Sequence, residues 1–255
     1  LFEEMDSAGI RYGVLMGRNS SGSGNLGGVS NKEIVEACAQ YPERFLGFLG
    51  IDLEAIPQGL AEVEQYATAK NIKGISIEPG SGIRPRWSDD PSLDPIYEAA
   101  RKHKLPVSIS LSGLLSLLGG HDMTWSDPVS IGRAAKKHPD VKFIVSHAAW
   151  PYAREMVITA LAYPNIYVSP DLYACTKGMP FSRDYVDAAN MFLEDRTLFG
   201  TAYPTKDLQE GVRDFLELGY REDIIPKILW QNAAKLLNVT ACLLYTSPSP
   251  RDQRG

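Results

Sequence analysis

Seven short apolar runs recur along the chain: RYGVLMG (11–17), RFLGFLGI (44–51), IKGISIE (72–78), LPVSISL (105–111), VKFIVS (141–146), NIYVS (165–169) and TLFG (197–200). They are near-continuous rather than alternating, the pattern of strands covered on both faces of a parallel sheet. Helix-like segments separate them, so the repeat of roughly 25–35 residues predicts β/α units. In 59–70, Leu60, Val63 and Tyr66 share one stripe. Asp127 before Pro128 predicts the start of a helix carrying Ile131, Ala134 and Ala135. Ser182 is the expected cap of a helix with Tyr185, Ala189 and Phe192, and Asp207 of one with Val212, Phe215 and Leu216, closed by Gly219. A last helix over 222–238 carries Ile225, Ile228, Leu229 and Leu236, with Pro226 in the first turn, where a missing N–H costs little. The opening LFEEMDSAGI reads as the final turns of a helix ending at Gly9.

This rhythm predicts an α/β fold, a TIM-like (β/α)8 barrel. Seven units are one short of eight, and an opening helix implies a strand before it. The expectation is therefore a barrel lacking its first β-strand through N-terminal truncation. It forms one domain over 1–239. From Thr240, TACLLYTSPSPRDQRG breaks the pattern, and 240–255 is read as a non-native or disordered tail. The Gly/Ser-rich stretch 19–30 reads either as a surface connection or as a mobile lid; it has no phosphate-loop pattern.

Composition narrows the function. With 44% hydrophobic residues and 22% charged, the chain can fill a full core. A net charge of −5 argues against nucleic acid as a partner. No apolar stretch is long enough for a membrane span. Cys38, Cys175 and Cys242 are widely spaced, which predicts a disulfide-free cytoplasmic protein. The expected partner is a small-molecule substrate, with a homodimer as a further expectation.

In a parallel barrel, chemistry gathers at the C-terminal ends of the strands. Reading outward from each strand gives Arg18, Asp52, Glu78, Ser110, His147, Asp171 and the Thr201–Tyr203 stretch. His147 directly follows a buried strand and is the leading candidate, as a general base or as a metal ligand. Asp171 and Glu78 are the expected catalytic partners. Tyr173 and Tyr203 offer phenols at the same rim, and Trp150 and Trp125 are candidate walls or plain filling. Arg18 reads either as a clamp for a substrate carboxylate or as a solvated charge, and Asp52 either as a site residue or as a cap. His103 and His138 lie at Lys-rich helix ends that favour positive charge, and His121 in a loop, so none of the three is taken as a site residue.

Several motifs together resemble the amidohydrolase-related family (amidohydrolase 2, within the metal-dependent hydrolase superfamily). They are MDSAGIRYGVLMG, SDDPSLDPIYEAARKHKLPV, VKFIVSHAAWP, LFGTAYP and KILWQNAAKLLNV, and they span essentially 1–239 in order. The resemblance implies a (β/α)8 barrel that hydrolyses or decarboxylates small, often aromatic or unsaturated acids, commonly with one divalent ion. It also implies metal ligands that this chain lacks: no H-x-H is present, Ser110 stands where a histidine usually ends its strand, and Ala202 replaces the final aspartate. His147 is retained. The expectation is a degenerate metal site with no cofactor; one zinc ion, with His147 among its ligands, is the alternative if a preceding strand supplies H-x-H. The expected activity is hydrolysis of a small organic acid, amide or lactone. The alternatives are decarboxylation of an unsaturated or aromatic acid, and a non-catalytic barrel that binds a small ligand.

Overall fold

Six parallel strands stand side by side in sequence order: β1 (Gly13–Met16), β2 (Phe45–Gly50), β3 (Ile72–Ile77), β4 (Val107–Ser112), β5 (Phe143–Trp150) and β6 (Ile166–Ser169). The computed structural model describes residues 1–18 and 28–239. Most of the 19–30 segment, and all of the 240–255 tail, therefore lie outside the described residues. Ten helices surround the strands among the described residues: α1 (Phe2–Ser7), α2 (Asn31–Gln40), α3 (Ile56–Tyr66), α4 (Asp94–His103), α5 (Gly113–Leu118), α6 (Val129–Lys137), α7 (Ala153–Ala162), α8 (Ser182–Ala188), α9 (Leu208–Leu216) and α10 (Asn232–Leu236).

The two faces of the sheet bury different sets of side chains. On the outer face Leu49, Ile75, Ile109, Val145 and Val168 join Ile34, Val63, Tyr97, Ile131 and Met156 from the helices in one core. On the inner face Leu46 and Phe48 of β2 meet Ile144 of β5, Leu198 and Leu237 in a separate buried cluster. Strands so far apart in the sheet order can share a cluster only if the sheet curls, and this one forms an incomplete barrel. Phe48 lies opposite Gly74 in the β2–β3 register, and a Cβ on Gly74 would come within 2.1 Å of the Phe48 ring. The absent side chain at Gly74 is what lets Phe48 fill the barrel floor. Outside, α1 packs against α9, which draws the first and last parts of the helical layer together.

Several expectations need correction. The seventh run makes only one bridge, Val168 with Thr197. The ladder stops after the Leu198 N–H donates to the Val168 carbonyl at 2.9 Å, because the next donor due from the β6 side is Pro170, which has no N–H. α3 begins at Ile56, with a proline in its first turn, earlier than the stripe suggested. Ser182 is the first residue of α8 rather than its cap, because the chain enters the helix through Phe181 at φ 66°. The closing segment is a π-helical turn, Lys227–Gln231, running into α10. Asp207 caps α9 as expected, accepting from the Glu210 N–H at 2.9 Å. α2 starts with a capping box that the sequence reading passed over, Ser30 and Glu33 each accepting from the other's backbone.

Among the described residues no helix is long and apolar enough to cross a membrane. Cys38 and Cys175 are both free and buried.

Gly74→Ala forces a methyl into the Phe48 ring and is expected to cost about 2 kcal/mol or more. Chemical denaturation measures it, and Phe48→Leu in the same chain is expected to recover part of the loss.

Candidate active site

The carboxylate of Asp171 holds His147 at two points. One oxygen accepts from the His147 backbone N–H at 2.8 Å, and the other lies 3.0 Å from Nδ1 of the ring. The Leu172 N–H donates to Asp171 as well, at 2.6 Å. The Asp171 side chain is almost fully buried, whereas the imidazole stays 18% exposed. With Nδ1 turned toward Asp171, Nε2 is the ring nitrogen left for chemistry.

The backbone pays for this arrangement with conformational strain. His147, Ala148 and Ala149 take φ values of 63°, 45° and 57°, and Asp171 one of 42°. Left-handed conformations cost a non-glycine residue roughly 1–2 kcal/mol each, and they persist where the surroundings over-determine them. Here Asp171 captures the His147 N–H, and the buried Tyr185 hydroxyl donates to the Ala148 carbonyl at 2.8 Å. Ala148 and Ala149 are completely buried. The turn swings the imidazole off the end of β5 toward Asp171, which follows β6.

A second ion pair sits at the same mouth. Nε and Nη2 of Arg18, beyond β1, donate to Glu78, beyond β3, at 3.2 and 3.0 Å. The charges of both residues reach His147. Burial pushes the imidazole pKa down, but the Asp171 charge and hydrogen bond, helped by Glu78 and opposed by Arg18, leave it raised above its ordinary value. The arrangement favours imidazolium.

The structure sorts the remaining candidates. Asp52 accepts from the Glu54 N–H at 2.9 Å, the turn-capping reading of that residue, while also lining a small surface depression with Glu78. Tyr173 is buried and hydrogen-bonds Ser112 at 2.7 Å. It stacks on Trp150 at 4.8 Å and meets the His147 ring edge-on at 6.0 Å, so it supports the imidazole from behind. Tyr203 is half-exposed and its hydroxyl donates to Glu4 of α1 at 3.1 Å, away from the dyad. Trp125 packs on Trp87 instead. His103 pairs with Glu64 and His138 with Asp94, and His121 bonds the Gly82 carbonyl. The sequence reading missed Tyr185 and Ser112. Tyr185 was visible only as an apolar helix position, and Ser112 only as the residue after a strand.

The residues present do not fit a metal ion. Among the described residues no three His, Cys, Asp or Glu side chains are grouped to hold one. Asp171 is committed to His147 and Leu172, and Glu78 to Arg18. Ser110 and Ala202 bring no strong donor.

Comparison with known proteins agrees with this architecture. A family profile described as amidohydrolase matches residues 6–239. An uncharacterized TIM-barrel protein from Bordetella bronchiseptica is 35% identical, with a TM-score of 0.82 over 93% of this chain and 81% of that one. A 2,6-dihydroxybenzoate decarboxylase from Rhizobium shares the fold at 19% identity and a TM-score of 0.71, over 93% and 87% of the two chains. A 2-amino-3-carboxymuconate-6-semialdehyde decarboxylase of Dictyostelium discoideum is 29% identical over 72 residues, 28% of this chain and 20% of that protein. The six strands are thus those of a TIM-type barrel.

Asp171→Asn keeps a hydrogen-bond acceptor but removes the charge that favours imidazolium. A raised folded pKa stabilises fully below the unfolded value of about 6.5, and its contribution fades as pH rises through the folded pKa. The stability gap between wild type and Asp171→Asn is therefore expected to be widest near pH 5–6 and to narrow on the alkaline side. Urea titrations across that range check it.

Proposed function

This chain belongs to the amidohydrolase family, and we propose that it decarboxylates a small carboxylic acid by acid–base chemistry at His147 and Asp171. The observation that carries this reading is the doubly held imidazole, with Nε2 free and its proton favoured by Asp171. Decarboxylases recur among the similar proteins, both in the solved fold and in the curated relative.

Loss of CO2 leaves an electron pair on carbon, and that carbon needs a proton. In the proposed step the bond to the carboxylate breaks, CO2 departs, and the electron pair takes the Nε2 proton of the His147 imidazolium. Water then returns a proton to Nε2, so a carboxylate and one proton give CO2 and the protonated product. Asp171 holds the ring in place and stabilises its cationic form. Glu78 fixes the Arg18 guanidinium through Nε and Nη2, leaving Nη1 to orient the substrate carboxylate. No step passes through a metal ion.

A second reading, hydrolysis, uses the same dyad in the opposite protonation state: neutral His147 would remove a proton from water at Nε2. The His–Asp hydrogen bond favours it to the extent that such a pair orients a general base. The raised imidazole pKa favours the proton donor instead.

Release of CO2 from a panel of hydroxylated and unsaturated carboxylic acids tests the proposal. Turnover is expected with at least one class and is expected to fall as pH rises through the His147 pKa, whereas a base-catalysed hydrolysis would rise over the same range. His147→Gln is expected to lose roughly 100-fold or more in rate. Metal analysis after dialysis is expected to find less than stoichiometric zinc or manganese, with activity kept in chelator.

A further inference from the structure

Where β1 ends, a side chain takes its place in the ladder. β1 and β2 pair in parallel as far as the Gly17 N–H, which donates to the Phe48 carbonyl at 2.8 Å. Continued at the even spacing of a parallel ladder, β1 would next bond the N–H and the carbonyl of Gly50. Both groups go instead to Asn31, the first residue of α2. The Gly50 N–H donates to Asn31 Oδ1 at 2.7 Å, and Asn31 Nδ2 donates to the Gly50 carbonyl at 2.9 Å. These partners fix which way the amide is turned, since an N–H needs its oxygen and a carbonyl its NH2. Nδ2 donates again to Glu62 of α3, at 2.6 Å. Asn31 is 1% exposed, and the Ser30–Glu33 capping box holds the start of its helix.

The exchange of partners lets the chain turn at Arg18. A Cβ on Gly17 would run into the Gly50 nitrogen and lie 3.0 Å from Asn31 Oδ1, so the bare backbone of Gly17 rests against the Asn31–Gly50 pair. One residue on, the Arg18 main chain exchanges two hydrogen bonds with Val29, at 3.2 and 3.0 Å, two residues before Asn31. The Arg18 side chain then crosses β2 to reach Glu78, beyond β3. Arg18 stands two residues past the Met16–Phe48 register pair, level with Gly50. Gly50 follows Leu46 and Phe48 at the two-residue period of the inner face, and its missing side chain leaves the crossing open.

We infer that Asn31 is a positioning residue for the Arg18 guanidinium: its amide ends the β1–β2 ladder at Gly17 and so directs Arg18 onto Glu78. The inference deepens the proposed site and rests on the reading of Arg18 as the holder of the substrate carboxylate. Capping does not account for Asn31, because Ser30 caps α2 and the Asn31 amide is committed to β2 and α3. The contact with Gly17 and the clasp at Val29 carry its effect to Arg18.

Side-chain exchange in protein carrying ¹⁵N-labelled arginine reads the position of Arg18 without a ligand. The Nε–H signal of Arg18 is identified by its loss in Arg18→Ala. That of Arg133, which pairs with Asp89 far from β1, is identified in the same way and serves as the internal standard. In wild type the Arg18 Nε–H is expected to exchange with water at least about tenfold more slowly than free arginine, as a hydrogen bond to a shielded carboxylate requires. In Asn31→Ala and Asn31→Asp, each checked by its denaturation curve, it is expected to exchange about tenfold faster than in wild type, with Arg133 unchanged. Asn31→Asp is the milder variant, keeping the size and the acceptor for the Gly50 N–H. An Arg18 signal as fast as free arginine in wild type, unchanged in the variants, or accelerated together with Arg133 would overturn the inference. Benzoate, titrated calorimetrically, is expected to bind Asn31→Asp more weakly than wild type. The double variant with Arg18→Ala is expected to bind it no more weakly than Arg18→Ala alone, because residues that act through one another are not additive; additive losses would also overturn the inference. Equal benzoate affinity in wild type and Arg18→Ala, with the Nε–H still answering to Asn31, would count against Arg18 as the carboxylate holder and leave its positioning by Asn31 standing.

Discussion

The site depends on one carboxylate that grips the same residue twice. Asp171 takes both the main-chain N–H and the ring nitrogen of His147. The first contact helps hold three successive left-handed residues at the end of β5; the second sets which ring nitrogen faces the mouth. Burial of the carboxylate strengthens both, because a charge away from water is poorly screened. Remove the charge, and the strained turn and the imidazole lose a common support. Tyr185, through the Ala148 carbonyl, is the second fastening of that turn, and it reaches in from α8.

The barrel interior is graded from floor to mouth. Lowest is the apolar plug of Leu46, Phe48, Ile144 and Leu198, which Gly74 makes room for. Above it come the hydroxyls of β3 to β6, and above those the two ion pairs, Arg18–Glu78 and His147–Asp171. A ligand entering from the mouth meets charge first, then uncharged donors, then hydrocarbon. That order arises from two-residue periodicity along strands of ordinary length.

Much of the fold could be read from the chain, because a strand covered on both faces announces itself by an unbroken apolar run. Six of the seven runs pair as strands. The seventh stops after one bridge because Pro170, next in line to donate from the β6 side, has no N–H, a signal that lies at the end of the neighbouring strand rather than in the run itself. Ser182 misled because a capping residue type one position into a helix looks the same as a cap. His147 and Asp171 could be nominated from their places after strands, but not their double hydrogen bond, which needs φ near +60° at alanines that the sequence gives no cause to suspect. Tyr173 and Tyr203 show the converse, since strand-end position says nothing about which way a phenol turns.

The tautomer of His147 tests the central claim most directly. In protein carrying ¹⁵N-labelled histidine, the ring nitrogen shifts above the imidazole pKa distinguish the protonated nitrogen from the bare one. The account predicts the proton on Nδ1, facing Asp171, with Nε2 bare. A proton found on Nε2, with Nδ1 unprotonated beside the carboxylate, would contradict it.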